Sequence, residues 1–376
     1  MRILAVDVGT GTQDIVLFDS SQPVENALQM VMPSPTQIAA GRIRRATESR
    51  RAVALTGVVA GGGPCAWALE DHLRAGLPAY STPEAAATVD DDLEAVERIG
   101  VTLASEDEMS RLDADRIPLR DLDLGAIRAA LAAFDVSGEF DGLAAGCLDH
   151  GASPPGYSDR LFRFDHLRRV VERRNDLRAF ACLPEELPEY LTRARSVMAC
   201  VDAGAPAVFL DTGPAAALGA LQDPAVGAEE QQCVLNLGNM HALAFHLQGT
   251  RIVSLYEHHT GEMTAEQIER FTERLLAGTL AHKEIFESKG HGAYYADGYQ
   301  RTRGPESEVR RPIIAVTGPQ RAKLRGSRLA PYFAVPHGDM MVSGCYGLLW
   351  AFAERNAEQG EEILAALGVT AGPSGG

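Results

Sequence analysis

The sequence of 376 residues lacks the cysteine spacing of a zinc or iron–sulfur motif. No two of its six cysteines lie closer than eighteen positions, so it contains no C-x-x-C pair and no close triple of thiols. The cysteines are Cys65, Cys147, Cys182, Cys200, Cys233 and Cys345. We expect most of them to be buried, reduced thiols that pack as small apolar groups.

The sequence also lacks long apolar runs and an excess of positive charge. Its apolar stretches are short and interrupted, so we expect no transmembrane helix. The segment Met1–Val6 reads as a strand without a secretory h-region, and a cytoplasmic location is the default expectation. With 35 basic and 51 acidic residues the net charge is −16, which argues against nonspecific nucleic-acid binding. The basic cluster Arg168–Arg178 is flanked by acids and is typical of a solvated helix face.

What the sequence does contain is one segment that occurs twice. Residues 3–18 and 232–247 align at an offset of 229 positions, which places Asp7 on Asn236 and Gly9 on Gly238. Each copy is an apolar run, a small polar turn and a second alternating run, the pattern of a tight β-hairpin. A turn of Gly and Thr exposes N–H groups and hydroxyls that can surround an anion. The repeat therefore predicts two similar lobes that face a shared phosphate.

Strands and helices alternate along the rest of the chain, which indicates an α/β protein with mixed sheets. The length predicts two domains or slightly more. Residues 288–311 are polar and rich in glycine, and we expect them to form a surface insertion.

Five motifs, taken in order, resemble the superfamily of sugar kinases, actin and the seventy-kilodalton heat-shock chaperones. They are a first phosphate motif, a connecting motif, a second phosphate motif, an adenosine motif and a closing strand-to-helix segment. Their positions are Asp7–Thr12, Asp211–Leu218, Asn236–Asn239, Ile313–Arg321 and Pro336–Leu349. A closer resemblance is to a family named as pyruvate formate-lyase activating enzyme-like. Radical activating enzymes hold a cluster with C-x₃-C-x₂-C, which this sequence lacks, so we expect no radical SAM chemistry.

The resemblance implies a two-lobed actin-like ATPase fold, which is a duplicated ribonuclease H-like fold with mixed sheets and an interlobe cleft. It implies an N-terminal lobe at 1–205, a C-terminal lobe at 206–367 and a disordered tail at 368–376. The final helix is expected to pack back toward the N-terminal lobe. The implied cofactors are ATP and Mg²⁺.

The resemblance also implies roles for particular residues. Asp7 and Asp211 would hold the metal, and Asp211, Asp149 and Asn236 are the catalytic candidates. The nucleotide would contact the two hairpin turns and the adenosine motif, at Asp7, Gly9, Thr10, Gly11, Thr12, Gly238, Asn239, Met240, His241, Thr317, Gly318, Pro319 and Arg321. For Asp7 and Thr10 the alternative is turn chemistry alone.

Asn236 departs from the pattern, because many relatives carry Asp at this position. A neutral amide can orient a water or donate to a phosphate but cannot neutralise a cation. Either hydrolysis is slow, or Asp211 or Asp149 does the acid–base work.

A second set of residues predicts a substrate site in the cleft. His150 follows Asp149 at a strand end, where several small-molecule kinases place an acceptor-activating carboxylate; a loop turn with Asp as a local cap is the alternative. Gly62 and Gly63, which follow Gly61 in a turn before a helix, could hold a second anion or form a tight packing turn. The remaining candidates could line the cleft or hold a metal, and they are His258, His259, His241, His291 and His337. Since neighbouring residues of a strand alternate, His258 and His259 should point to opposite faces.

Three functions are compatible with these residues. The first is an ATP-dependent phosphotransferase that acts on a small metabolite. The second is an ATPase whose lobe closure acts on a partner enzyme, and the third is a non-hydrolysing sensor of a nucleotide or metabolite. The sequence predicts no oligomeric state.

Overall fold

The computed structural model describes residues 1–201, 204–296, 311–356 and 358–369. The expected tail at 368–376 therefore lies mostly outside the described residues, and so does most of the expected surface insertion at 288–311. Strand and helix labels below follow the order of the chain.

The first sheet contains the first copy of the repeat. Its five strands are β1 (Arg2–Val8), β2 (Thr12–Asp19), β3 (Leu28–Pro33), β8 (Gly142–Cys147) and β9 (Ala207–Phe209). Their spatial order is β3-β2-β1-β8-β9, with an antiparallel meander from β1 to β3 and parallel pairing of β1 with β8 and of β8 with β9. The expected hairpin is confirmed, and its register places Asp7 opposite Asp14.

The second sheet contains the second copy. Its six strands are β10 (Gln232–Leu237), β11 (His241–Gln248), β12 (Arg251–His259), β13 (Gly292–Tyr295), β14 (Ile313–Thr317) and β15 (Tyr332–Phe333). Their spatial order is β13-β12-β11-β10-β14-β15, and β14 and β15 are parallel to β10. Apart from the added edge strand β13, the sheet repeats the arrangement of the first one. Two sheets with the same strand order are the duplicated ribonuclease H-like architecture that the sequence predicted.

A third sheet lies in the chain between β3 and β8, and the sequence did not indicate it as a separate unit. Its four strands are β4 (Ala52–Gly57), β5 (Ala79–Ser81), β6 (Val101–Leu103) and β7 (Ala114–Leu119). All of them are parallel, in the order β6-β5-β4-β7. They have an apolar core of their own, which includes Val53, Leu55, Leu69 and Val96.

The helices are short and lie between and beside the sheets. They are α1 (Pro35–Glu48), α2 (Pro64–Arg74), α3 (Pro83–Ala86), α4 (Leu93–Arg98), α5 (Glu106–Met109), α6 (Leu124–Ala132), α7 (Asp159–Arg173), α8 (Thr192–Ala199), α9 (Thr212–Ala220), α10 (Pro224–Gly227), α11 (Ala265–Leu276), α12 (His282–Glu287), α13 (Ser343–Arg355) and α14 (Gly360–Ala366). None of the helices in the described residues has the length and apolar character needed to cross a membrane.

Helices α9 and α13 join the two halves of the molecule. They pack against each other so closely that a Cβ on Gly347 would lie 1.9 Å from the carbonyl oxygen of Ala215. Both helices belong to the largest apolar core, which also takes residues from the first and second sheets. Helix α13 packs on β1 and β8 of the first sheet. Strand β9 also lies in the first sheet, just beyond residue 205, where the sequence analysis placed the division between the lobes.

Candidate functional site

The turn of the first hairpin is fixed by a hydrogen bond within the turn and by two hydrogen bonds from Ser34. Gly9 N–H donates to the carbonyl of Thr12 at 3.0 Å, which closes the turn. Ser34, the N-cap of α1, donates from its Oγ to the Thr10 carbonyl at 2.6 Å and from its N–H to the Gly11 carbonyl at 3.1 Å. Ser34 therefore holds both of these turn carbonyls in place.

The second hairpin turn is built the same way and touches the first. Gly238 N–H donates to the His241 carbonyl at 2.9 Å, and Met240 lies in the turn with its carbonyl accepting from Thr260 N–H. A Cβ on Gly11 would lie 2.2 Å from Nδ2 of Asn239, so the two turns are in contact, and a side chain at Gly11 would displace the Asn239 amide. The structure therefore brings together the two copies of the repeat, turn against turn.

The adenosine motif lies beside the second turn. Strand β14 ends at Thr317, and Gly318 follows with a positive φ of 92°. A Cβ on Gly318 would lie 2.7 Å from Oδ1 of Asn236, and Gln320 Nε2 donates to Asn239 Oδ1 at 3.1 Å. The Oγ1 of Thr317 is buried and has no hydrogen-bond partner among the described residues. Beyond Pro319, the guanidinium of Arg321 donates to the Ala334 carbonyl at 3.0 Å.

Asp7 lies behind the first turn at the centre of the molecule. Its Oδ1 accepts from Thr212 Oγ1 at 2.9 Å, and a Cβ on Gly344 would lie 1.9 Å from its Oδ2. Burial raises the pKa of Asp7 to about 7, against the lowering effect of the Thr212 hydrogen bond. Asp7 is therefore a buried carboxylate with one oxygen bonded and the other against the first turn of α13.

Asp14 is a site residue that the sequence analysis missed. It faces Asp7 across the hairpin, is buried, and has an Oδ1 without a hydrogen-bond partner among the described residues. Burial, and then the charge of Asp7, raise the pKa of Asp14 to about 8. A hairpin whose turn spans Gly9–Thr12, centred between Thr10 and Gly11, pairs residues whose numbers add up to 21. That register was the available signal for this pair of carboxylates.

Asp211 has a different environment from that of Asp7. Its Oδ1 accepts from Gly213 N–H at 3.1 Å, as the N-cap of α9, and from Nη2 of Arg163 at 3.0 Å. Its Oδ2 accepts from Nη1 of the same guanidinium. Arg163 also donates from Nε to Glu257 at 3.2 Å, which makes a buried group of two acids and one base. The metal-binding and catalytic roles of Asp211 stay predictions, and both of its oxygens are engaged.

Asp149 is likewise engaged by the protein itself. Its Oδ1 accepts from Gly151 N–H at 2.8 Å and its Oδ2 from Ala194 N–H at 2.9 Å. These bonds tie the end of β8 to helix α8. The local cap that the sequence left open as an alternative is therefore present, and the catalytic role of Asp149 stays a prediction.

The three glycines before α2 form a tight turn next to the first hairpin. Gly63 has a positive φ of 49°, and a Cβ on it would lie 3.7 Å from Cγ2 of Thr10. A Cβ on Gly62 would lie 2.7 Å from the Thr88 carbonyl, and the Gly62 carbonyl accepts from Thr36 Oγ1. The turn thus packs closely on its neighbours and also borders the site.

Arg193, which the sequence did not single out, lies between this turn and the Asp149 loop. It donates to Asp121 and to the Leu148 carbonyl, both at 2.6 Å. A Cβ on Gly61 would lie 2.7 Å from Nη2 of Arg193. It is therefore a partly buried cation fixed at the edge of the site.

Four of the predicted histidines come together where the Asp149 loop meets the second sheet. They are His150, His241, His259 and His291, with ring centroids 4.7 to 5.3 Å apart in the pairs that contact. Burial lowers the pKa of His150 to about 4 and lowers the pKa of His241 and His291 as well. The cluster is therefore neutral at pH 7.

The other two predicted histidines lie elsewhere. His258 occupies the opposite face of β12 from His259, where its ring packs on Phe271 and contacts Ser288 Oγ at 3.2 Å. His337 packs on Tyr346, and its Nε2 lies 3.0 Å from Oε1 of Gln222. Neither belongs to the cluster, and their predicted substrate roles stay predictions.

The fold and this site define an actin-like ATPase architecture, in which two hairpin turns meet between duplicated lobes. The family model described as "Putative pyruvate format-lyase activating enzyme (DUF1786)" matches residues 60–323. The chain belongs to this family, as its sequence indicated.

The solved structures that match this chain are distant in sequence. The ethanolamine utilization protein EutJ from Carboxydothermus hydrogenoformans is 15% identical, with 94% of this chain and 89% of that chain covered and a TM-score of 0.30. The activator of 2-hydroxyisocaproyl-CoA dehydratase from Clostridium difficile, with bound ADPNP, is 9% identical, with 96% and 98% covered and a TM-score of 0.30. The ROK hexokinase from Thermus thermophilus is 14% identical with a TM-score of 0.24, and the match covers 67% of this chain and only 48% of the hexokinase. No curated protein matches the chain.

Proposed function

We propose that this protein binds Mg-ATP between its two hairpin turns and transfers the terminal phosphoryl group. The observation that carries the proposal is the contact of the turns at Gly11 and Asn239, in front of the buried pair Asp7 and Asp14. Phosphoryl transfer depends mainly on positioning and on charge neutralisation, and this arrangement supplies donors for phosphate oxygens and carboxylates for a cation.

The residues present fit both parts of the cofactor. For the phosphates, the candidate donors are Thr10, the N–H groups of the two turns that meet at Gly11 and Asn239, and the buried Thr317 Oγ1, which has no partner among the described residues. The side chain of Thr12 hydrogen-bonds to Asp14. For Mg²⁺, which prefers oxygen ligands and few protein carboxylates, Asp7 and Asp14 are two facing buried acids, and neither accepts a hydrogen bond from a guanidinium among the described residues. When bound, Mg²⁺ would offset the charge on the phosphates.

The phosphoryl acceptor distinguishes two versions of this function. A small metabolite in the cleft would make the protein a kinase. Water as the acceptor would make it a slow ATPase whose lobe movement acts on a partner enzyme, in line with the family description. One observation favours the second version. Both oxygens of Asp211 accept from Arg163, and both oxygens of Asp149 accept from backbone N–H groups. Neither candidate base is therefore free to activate a metabolite hydroxyl.

Calorimetry with ATP and Mg²⁺, followed by assays of phosphate release with and without a panel of metabolites, tests the proposal. Turnover stimulated by a metabolite supports the kinase, and slow hydrolysis that no metabolite changes supports the activator. Binding without any hydrolysis would leave only the sensor. If ATP and other nucleotides do not bind at millimolar concentration, the nucleotide proposal is wrong.

Asp14→Asn is expected to stabilise the metal-free protein at pH 8 and to have little effect near pH 4. The pKa of Asp14 is raised in the folded state from its usual 3.8 to about 8. The unfolded chain releases this proton near pH 4 and the folded protein only near pH 8. The wild-type protein therefore loses up to about 1.4 kcal/mol of unfolding free energy per pH unit between these values. Asparagine removes this loss because it does not ionise.

Urea unfolding in EDTA at pH 5 and pH 8 measures the effect. Asp19→Asn is the matched control at the far end of β2, because hydrogen bonds from Ser21 lower the pKa of Asp19 instead. We expect no gain of stability in the control at pH 8. An Asp14→Asn difference that is the same at both pH values would contradict the buried, protonated state of Asp14.

A further inference from the structure

We propose that His150, His241 and His291 bind a divalent transition-metal ion, of the zinc, cobalt or nickel type. Its ligands are different residues from the Asp7–Asp14 pair, and the proposal goes beyond nucleotide binding, which needs no imidazole cluster, although His241 also ends the second hairpin turn. The three histidines come from different parts of the chain, namely the loop after β8, the start of β11 and the residue before β13.

The positions of the ring nitrogens support this proposal. One nitrogen from each of the three rings lies within 4.8 Å of the other two, and the Nε2 atoms of His150 and His241 are 3.1 Å apart. Zinc–nitrogen bonds of about 2.0–2.1 Å in a tetrahedral site place two ligand nitrogens roughly 3.4 Å apart. Small rotations of the rings would therefore bring all three nitrogens to one ion.

His291 is the strongest sign of a missing ligand. Its side chain is completely buried, and neither ring nitrogen has a hydrogen-bond partner among the described residues. A buried polar group without a partner is rare because its desolvation is not compensated. A metal ion would satisfy one nitrogen of His291, and the other two rings of the site already face it.

The backbone around His291 fixes the direction of its ring. His291 N–H donates to the Glu257 carbonyl at 2.9 Å. On either side, Gly290 and Gly292 allow close packing, since a Cβ on Gly290 would lie 2.5 Å from the His258 ring and one on Gly292 2.4 Å from the His282 ring. Such a rigid ligand position costs little entropy when the ion binds.

The chemistry of the cluster selects the class of metal. Imidazole nitrogens suit zinc, cobalt, nickel, copper and iron, whereas Mg²⁺ and Ca²⁺ prefer oxygen. Asp211 and Glu257 are already paired with Arg163 and are not free to join the imidazoles. Three neutral ligands would leave the ion its positive charge. The ring of His259 lies beside them, with its centroid 4.9 Å from that of His241 and 4.7 Å from that of His291.

Titration of tag-free protein with Co²⁺ and with Zn²⁺ tests the proposal without nucleotide. We expect one equivalent to bind with micromolar or tighter affinity and Co²⁺ to show visible absorption without the near-ultraviolet thiolate band. A saturating ion should raise the Tm by on the order of 5 °C. His291→Leu should weaken binding about 100-fold and abolish the rise in Tm.

The stability of the same variant shows whether weaker binding comes from the loss of a metal ligand or from a change in the fold. Because leucine removes two unpaired buried nitrogens, His291→Leu in EDTA should be at least as stable as the wild-type protein. His150→Gln, at a partly buried ring, is the second variant and should also lose the ion. It keeps the test decisive if His291→Leu does not fold. His337→Asn removes an imidazole outside the cluster, at a residue with a positive φ of 49° that asparagine tolerates, and should bind as wild type.

Three results would overturn the proposal. They are the absence of stoichiometric binding by the wild-type protein, binding that both cluster variants retain, and a Co²⁺ spectrum with thiolate ligands. The last of these would place the ion on a cysteine instead.

Discussion

Replacing Arg163 by alanine is expected to cost about 3–5 kcal/mol of unfolding free energy at pH 8, the usual effect of breaking a buried ion pair. The guanidinium is fully buried and contacts both Asp211 and Glu257. Its loss would leave two carboxylates in an apolar interior without a counter-charge. Since burial already raises the pKa of Glu257 to about 7, Glu257 would take up a proton as the pH falls. The loss should therefore be smaller at pH 5 than at pH 8.

Urea unfolding of Arg163→Ala and of Arg168→Ala measures this effect on one helix. Arg168 is also in α7 and pairs with Asp165 and Glu172, but its side chain is 49% exposed. An exposed pair of this kind contributes about 0–1 kcal/mol. Equal, small losses in the two variants would show that the buried Arg163 group contributes no more to stability than an exposed ion pair.

The sequence allowed the two repeated hairpins to be predicted because their signals are local. In each copy an apolar alternating run is interrupted by a glycine turn, and the structure has β1–β2 and β10–β11 at these positions. The order of motifs then predicted the duplicated fold. Helix α1 was missed although Ser34 caps it and Pro35 opens it, because basic residues occupy much of its exposed face.

The third sheet could not be separated from the rest by local patterns. Its strands β5 and β6 are only three residues long, and short apolar runs between helices fit any α/β sheet. That β4 to β7 pair with one another, and not with β1 or β8, is decided by contacts between distant parts of the chain. Single-sequence patterns do not contain this information.

The sequence predicted the types of residue in the candidate site but not which of them contact one another. The sequence named His241, His259 and His291 but could not tell which rings meet. Arg163 carried a signal that was not used, because it lies on the same stripe of α7 as the buried Leu167. An arginine in that position requires buried acids nearby, and Asp211 and Glu257 supply them. The predicted roles of Asp211 therefore depend on a residue that the repeat and the motifs do not include.

Asp7→Asn is expected to weaken Mg-ATP binding by at least about 100-fold, or about 2.7 kcal/mol, while the fold stays intact. Asparagine keeps the shape of the side chain and an oxygen that can accept from Thr212. It removes the charge that, with Asp14, would neutralise a cation behind the first hairpin turn. It also makes the first copy of the repeat equivalent to the second, which already carries Asn236. Calorimetry with Mg-ATP measures the loss, and Asp7→Ala should show the same one.

Urea unfolding shows whether Asp7→Asn has lost a cation ligand or has lost its folded structure. Because burial raises the pKa of Asp7 to about 7, its ionised form is unfavourable in the folded, metal-free protein at pH 8. Asp7→Asn should therefore unfold at a urea concentration no lower than that of the wild-type protein in EDTA. Asp19→Asn, at the opposite end of the same hairpin, should bind Mg-ATP normally. If Asp7→Asn binds Mg-ATP as the wild type does, the cation is held elsewhere, and the two hairpin turns alone would have to account for nucleotide binding.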